Sequence, residues 1–582
     1  MILVKNVLVT AVLVFPVLQA FSQQSDPFIR ITQPLDSHLE VTGSPNYVAG
    51  STCRGCVLTL NGDPVRLYPT GAFAIQLDLV PGDTMFNFEA TLPGKKLARR
   101  LYYDYAPVPP EQTDSIFGIS QITTFPEGNL ELSPGDVIRI RVKGYPGCKA
   151  TWLDGQPLYE QPPSMEGGIG GIYQGSYTVK LGDSLLRGNI QVTLSDIQGQ
   201  QITRSTPYQF SLFGGEQVGI TKGQLPFLVY GLGTDRLGGA KMGYLDTAVL
   251  LRLTGKFNNE YRVKLSEGLD AYIPQQDVTL LPEGSFSPQS LTGPWKIYGD
   301  GRNDYVSIAL SEKLPYRSIE DPDPSQITVD LYGATANTNW ITQLRGIGEI
   351  RSAYYEQVQE GVFRIHILLK NPLSWGYSIN YHGNDLVIRV KHPPAAVSLA
   401  GLKIAIDPGH GGSNLGALSP TGVYEKELTL EVAFDLKAAL EKAGARVIMT
   451  RTNDISLDMA QRILWLRKED PDLMVSIHMN ASADPIHISG TSTYYRYPGF
   501  RPLSQDIYSQ MQALGLKGFG NVGSFNFALN GPTEFPNALV ECLFITNPSD
   551  EMKILDPNFR QKVAQAILVG IRNFITRPDQ PG

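Results

Sequence analysis

Four side chains in the last third of this 582-residue chain have the types and setting to do chemistry together: His410, Glu425, His478 and Glu541. His410 follows the apolar run Ile404 to Ile406, which breaks into Asp407, Pro408 and Gly409, and it is flanked by Gly409, Gly411 and Gly412. Glycines there let the backbone turn sharply and let a ligand approach with no Cβ in the way. Two imidazoles and one carboxylate brought from separate segments make the ligand set of an open zinc site, with a fourth position left for water. Glu541 lies in a strand otherwise apolar from Ala538 to Ile545, where a carboxylate is costly to bury without a metal, a positive partner or a proton.

Each residue also has a plainer reading. A lone histidine at a strand end is more often a hydrogen-bonded core residue than a ligand. Glu425 and Glu427 both open a helix, where the dipole favours acids, and spacing alone leaves either as the partner of the histidines.

The elements that must position these residues are readable from periodicity. Leu428, Val432, Leu436, Ala439, Leu440 and Ala443 share one helical face, and Gly444 stands where a C-terminal cap would end it. Short strands are expected over 446–451, 472–481, 491–496 and 537–546, with a second helix over 456–469. Strands alternating with helices imply a mixed open α/β sheet with helices on both faces, and ligands collect at the carboxyl ends of such strands. His410 and His478 both fall at such ends. The span from Gly490 to Glu541 accommodates a helix near 504–515 and connecting strands.

The phrases "IAIDPGHGG", "YEKELTLEVA", "VSIHMNA", "GTSTYY" and "ALVECLFITNPSDE" resemble, in order, those of the zinc-dependent N-acetylmuramoyl-L-alanine amidases of the amidase-3 type. The resemblance covers 400–577. It implies that His410, Glu425 and His478 hold Zn²⁺, that Glu541 is the catalytic carboxylate, and that the substrate is peptidoglycan, cut between N-acetylmuramic acid and the L-alanine of the stem peptide. It also selects Glu425 over Glu427, because the family's ligand directly precedes a lysine, here Lys426. Two other readings compete: a catalytically silent envelope scaffold, and a zinc peptidase acting on the stem peptide.

Upstream, the grammar is strands alone, so the chain is expected to be multidomain, all-β modules preceding the α/β domain. "LTLNGDPV" (58–65) and "TWLDGQPL" (151–158) each set an Asn-Gly or Asp-Gly turn between apolar residues, and "LVPGD" and "LSPGD" add a shared turn phrase. The units 27–106 and 113–213 resemble bacterial immunoglobulin-like modules. Residues 220–282 resemble an SH3-like barrel, and 295–392 resemble the strand-rich AMIN-type domain that precedes the catalytic domain in some cell-wall amidases. The proline pair in "KHPPAAVSLAG" marks a boundary near 395.

Composition bounds the rest. With 42% hydrophobic and 18% charged residues the chain is too apolar for disorder, and a net charge of −7 argues against nucleic acid as a partner. Residues 1–22 read as a signal peptide: Lys5, the apolar run Val7 to Leu18, and a small-x-small pattern at Ala20 to Ser22. The mature protein is expected in the periplasm or cell envelope with no membrane span, as a monomer whose β modules are free to engage envelope proteins. Cys53 and Cys56 can close a small disulfide in an oxidising compartment, while Cys148 and Cys542 read as buried free thiols.

Overall fold

The computed structural model describes residues 26–577 except 234, 236, 323–324 and 395–397; the expected signal peptide lies outside the described residues. Beyond residue 402 six strands form one sheet: β1 (Lys403–Pro408), β2 (Arg446–Met449), β3 (Leu473–Asn480), β4 (Thr491–Tyr494), β5 (Gly518–Val522) and β6 (Asn537–Phe544). Their order is β2-β1-β3-β6-β4-β5. All neighbours are parallel except β4 and β6. β6, inside the sheet and covered on both sides, is buried at every position, as a strand between two layers must be.

Period-two alternation assigns the two faces. Ile404, Ile406, Val475, Ile477, Ala538 and Val540 point into a core closed by α1 (Glu425–Lys442), α3 (Arg501–Gln512), α4 (Pro548–Ile554) and α5 (Pro557–Ile575). Gly444 takes positive φ just past α1, the left-handed conformation that ends a helix. Ala405 and Met474 point the other way, toward Ile463 and Leu466 of α2 (Met459–Glu469), which Asp458 and Gln461 start with a reciprocal capping box. Leu225 and Tyr244, from the all-β half, complete that second layer. The C-terminal part is thus a mixed α/β domain with helices on both faces, preceded by strand-rich structure.

The all-β half begins with a three-stranded and a five-stranded sheet packed around Phe73, Phe88 and Tyr103. The two turn phrases form hairpins: Asn61 and Gly62 have φ 52° and 98°, and Asp154 and Gly155 have 58° and 95°. Further on, the expected units are continuous with one another. Strand 130–132 pairs with both 201–212 and 250–257, and residues from Phe213 to Val278 share one buried apolar cluster with residues from Trp295 to Val390. Cys53 and Cys56 are bonded. Cys542 is buried and free; Cys148 is free but only half buried, against expectation, because it lies in the turn before strand 149–152 and not in a strand.

The two halves are in contact along several seams. Arg389 pairs with Asp470 at 2.7 Å, and the Lys391 ammonium donates to the Pro471 carbonyl. Trp375, 6% exposed, packs on Phe574 of α5 with ring centroids 5.5 Å apart. Arg30 donates to the Thr421 carbonyl, and the Tyr47 ring meets the His487 ring edge-on.

Candidate active site

The loop after β1 is shaped by two buried arginines. Arg462 of α2 pairs with the Asp407 carboxylate at 2.6 Å and donates to the carbonyls of Pro408 and His410. Arg451 donates to the carbonyls of Pro408 (3.0 Å) and Gly409 (2.8 Å). Asp407 also accepts from Thr450 and Ser476, so this buried ion pair has the extra hydrogen bonds such a pair needs. Burial alone would raise the Asp407 pKa; Arg462 and Thr450 reverse that and hold it below its ordinary value. The result is a carbonyl-anchored turn that presents His410 in the left-handed region, at φ 61°.

Glu425, first residue of α1 and 3% exposed, places its carboxylate between two imidazoles. Its Oε1 lies 3.0 Å from His410 Nε2 and 3.1 Å from His478 Nδ1. One donor atom from each of the three residues falls within 4.8 Å of the others. The carboxylate is aimed by two backbone amides, Met479 N–H to Oε1 (2.9 Å) and Ala417 N–H to Oε2 (2.8 Å). His410 Nδ1 faces Asn414 Oδ1 at 2.9 Å, which fixes the proton on Nδ1 and leaves the Nε2 lone pair for a ligand. Burial would raise the Glu425 pKa, but the two histidines bring it well below the carboxylate range. Burial would lower that of His410, and Glu425 with Asn414 raises it. Glu427, by contrast, is exposed.

The packing leaves room only for glycine around this cluster. A Cβ on Gly409 would stand 2.3 Å from His478 Cε1, and one on Gly416 would stand 2.6 Å from Glu425 Oε2. Two imidazole nitrogens, a carboxylate and the hydrogen bonds behind them fit a divalent metal of the zinc type.

Glu541 is brought to the same place by register. It is the partner of His478 across β3 and β6 and of Ser492 across β4 and β6, so all three project from one face of the sheet. Its side chain is 8% exposed. Tyr494, two residues along the same face, is kept protonated by burial, with the Glu541 carboxylate adding to the rise while Ser492 and Asn480 oppose it. His487 is an exposed loop residue that pairs with Asp484 at 2.9 Å. Arg451, Arg462, Asn414 and Tyr494 were missed at the level of sequence. Nothing in an apolar-periodic helix marks one arginine as buried, although an asparagine four residues after His410 was a usable signal.

Residues 404–573 match the family described as N-acetylmuramoyl-L-alanine amidase (Amidase_3). A probable cell wall amidase LytH of Staphylococcus epidermidis is 35% identical over 205 residues, which is 34% of this chain and 67% of that protein. Its counterpart in Staphylococcus saprophyticus is 33% identical over 214 residues, 36% of this chain and 71% of that one. Among solved structures, the N-acetylmuramoyl-L-alanine amidase from Clostridium difficile 630 is 31% identical, covering 29% of this chain and 95% of its own, with a TM-score of 0.29.

Proposed function

This chain belongs to the N-acetylmuramoyl-L-alanine amidase family, and from that premise we propose that it is an exported, zinc-dependent peptidoglycan hydrolase cutting the amide between N-acetylmuramic acid and the L-alanine of the stem peptide. The observation that carries the reading is the convergence of His410, Glu425 and His478 beside the register-placed Glu541. His410, Glu425 and His478 would hold Zn²⁺; when bound, the ion supplies Lewis acidity toward water and toward the scissile carbonyl oxygen.

The chain's own residues do the rest. Glu541 takes the proton of the attacking water and returns it to the nitrogen of the leaving L-alanine, a general base that becomes a general acid. Asn414 and the amides of Ala417 and Met479 keep His410 and Glu425 in one orientation while this happens. The sheet face around Glu541, walled by Tyr494, limits water at the carboxylate. Among the described residues no helix is long and apolar enough to cross a membrane, and the Cys53–Cys56 bond suits an oxidising compartment outside the cytoplasm.

The deciding experiment is digestion of purified peptidoglycan with mass spectrometry of the soluble products. Intact stem peptides with a free L-alanine amine are expected. Shortened stem peptides still joined to the sugar would make the enzyme a peptidase, and an unchanged sacculus with the zinc-loaded chain would make it a scaffold.

A further inference from the structure

The catalytic sheet has one face that its own helices do not finish covering. Beyond α2, the second layer is completed by the hairpin of strands 227–229 and 241–244 from the all-β half. Tyr244 of that hairpin packs on Gly531, where a Cβ would stand 3.0 Å from the Tyr244 ring, and its ring lies under the Arg467 guanidinium of α2.

What the hairpin touches is the segment 523–531, which runs between β5 and β6. Apart from a single 3-10 turn at 528–530 this segment has no regular structure of its own, and Ser524 sits at φ 54°. At its centre the Asn526 side chain behaves as a strand partner for the hairpin. Its Nδ2 donates to the carbonyls of Gly239 (3.0 Å) and Leu237 (3.2 Å), and its Oδ1 accepts from the Lys241 N–H (3.1 Å). Arg496, just after β4, donates to the Lys241 carbonyl. One asparagine amide thereby uses both donors and its acceptor on backbone from the other half of the protein.

The neighbours of Asn526 point back toward the site. Phe525 and Phe527 pack on Tyr494 with ring centroids 4.8 and 5.2 Å away, and on each other at 4.5 Å. Tyr494 is the buried wall beside Glu541. An aromatic triad, with Tyr494 buried and both phenylalanines half-buried, thus lies between the carboxylate and the clamp as a chain of ring contacts. The bonds that aim the metal cluster, from Arg451, Arg462, Asn414 and the amides on Glu425, all come from the catalytic domain itself, and the all-β half reaches that side through Arg30 at the Thr421 carbonyl, a contact outside those bonds.

We infer that Asn526 is a positioning residue through which the all-β half sets the geometry around Glu541, leaving metal binding untouched. The inference rests on the amidase reading for its kinetic arm only. Two variants of the full-length chain test it beside wild type: Asn526→Ala, and Arg389→Ala, which breaks a contact between the same two halves at the opposite end of the sheet from the site. Zinc per chain, kcat and KM on a soluble muropeptide, and amide hydrogen exchange over 491–494 are measured on each.

The expected result is that Asn526→Ala keeps full zinc, holds KM within about twofold, loses about tenfold in kcat and exchanges faster at 491–494, while Arg389→Ala matches wild type in all four. Unchanged kcat and exchange in Asn526→Ala would overturn the inference. So would equal losses in both variants, or zinc lost together with kcat, because either describes loosened docking or folding in place of positioning. If wild type releases no alanine-terminated peptide, the amidase reading fails, and the exchange over 491–494 still decides for or against the clamp.

Discussion

The two sides of the site are built on different authority. On the metal side, the carbonyls of Pro408, Gly409 and His410 are each tied to an arginine within the same domain, and Glu425 is aimed by amides from its own sheet and loop. On the Glu541 side, the strand position is fixed by β6, but the wall of Tyr494, Phe525 and Phe527 leans on the hairpin of strands 227–229 and 241–244. Under the proposed roles, the contrast teaches that ligand geometry and base geometry are specified separately in one chain. A metal site tolerates little error in donor placement, so it is held by short local bonds. The environment of a general base is set by what packs around it, which lets a distant module take part.

The largest break in this comparison comes from the chemistry itself. Glu541→Gln is expected to keep zinc and lose at least about 10²-fold in kcat, whereas His410→Ala and His478→Ala should lose metal and activity together. Metal analysis beside turnover checks this, and a Glu541→Gln protein with wild-type kcat would remove that carboxylate from the mechanism. Next in size is Arg462→Ala. It strands the fully buried Asp407 carboxylate, at a cost of about 3–5 kcal/mol, seen as a lower denaturation midpoint with zinc affinity falling alongside. If Arg462→Ala leaves zinc affinity intact, the metal side is not held as described.

The seam between the halves gives a pH signature. Glu320 is buried against Gly499, with the Tyr377 and Tyr497 rings close by, and burial pushes its pKa up to about 7 while Ser374 pulls the other way. The folded chain therefore holds this proton between about pH 4.5 and 7 while the unfolded chain has released it. Stability falls as pH rises through that window and levels off above it, by a few kcal/mol, about 3. Denaturation at pH 5 and pH 8 should show the fall in wild type and a smaller one in Glu320→Gln; equal slopes would mean the carboxyl ionises in place. The smallest effect expected is Asn414→Ala, which frees the His410 ring to turn and weakens zinc binding by about tenfold, read by competition with a chelator while the fold and Glu541 side stay as they were.

How much of this was legible beforehand follows the same division. Periodicity gave the strands and helices around His410 and His478 to within a few residues, because apolar alternation is imposed by burial on each element separately. The choice of Glu425 over Glu427 was not in the spacing, and burial of the first against exposure of the second explains it. The arginines at 451 and 462 could not be read, since a charged residue on an amphipathic pattern looks solvent-facing until its partner Asp407 is placed by a different strand. The Asn526 contact was illegible for a stronger reason: it joins residues nearly three hundred positions apart through backbone atoms, which carry no sequence signature.

Trp375 has a consequence for heredity. It stands before the Pro393–Pro394 boundary, yet its ring is packed against Phe574 in the core of the following domain. A recombination event that moved the catalytic segment to another gene by breaking the chain at those prolines would leave that indole behind. The recipient would inherit an uncovered apolar patch on α5 where the indole had packed. Natural or engineered exchanges that survive should therefore carry the breakpoint upstream of Leu373, so that the unit passed between lineages is longer than the unit that does the chemistry.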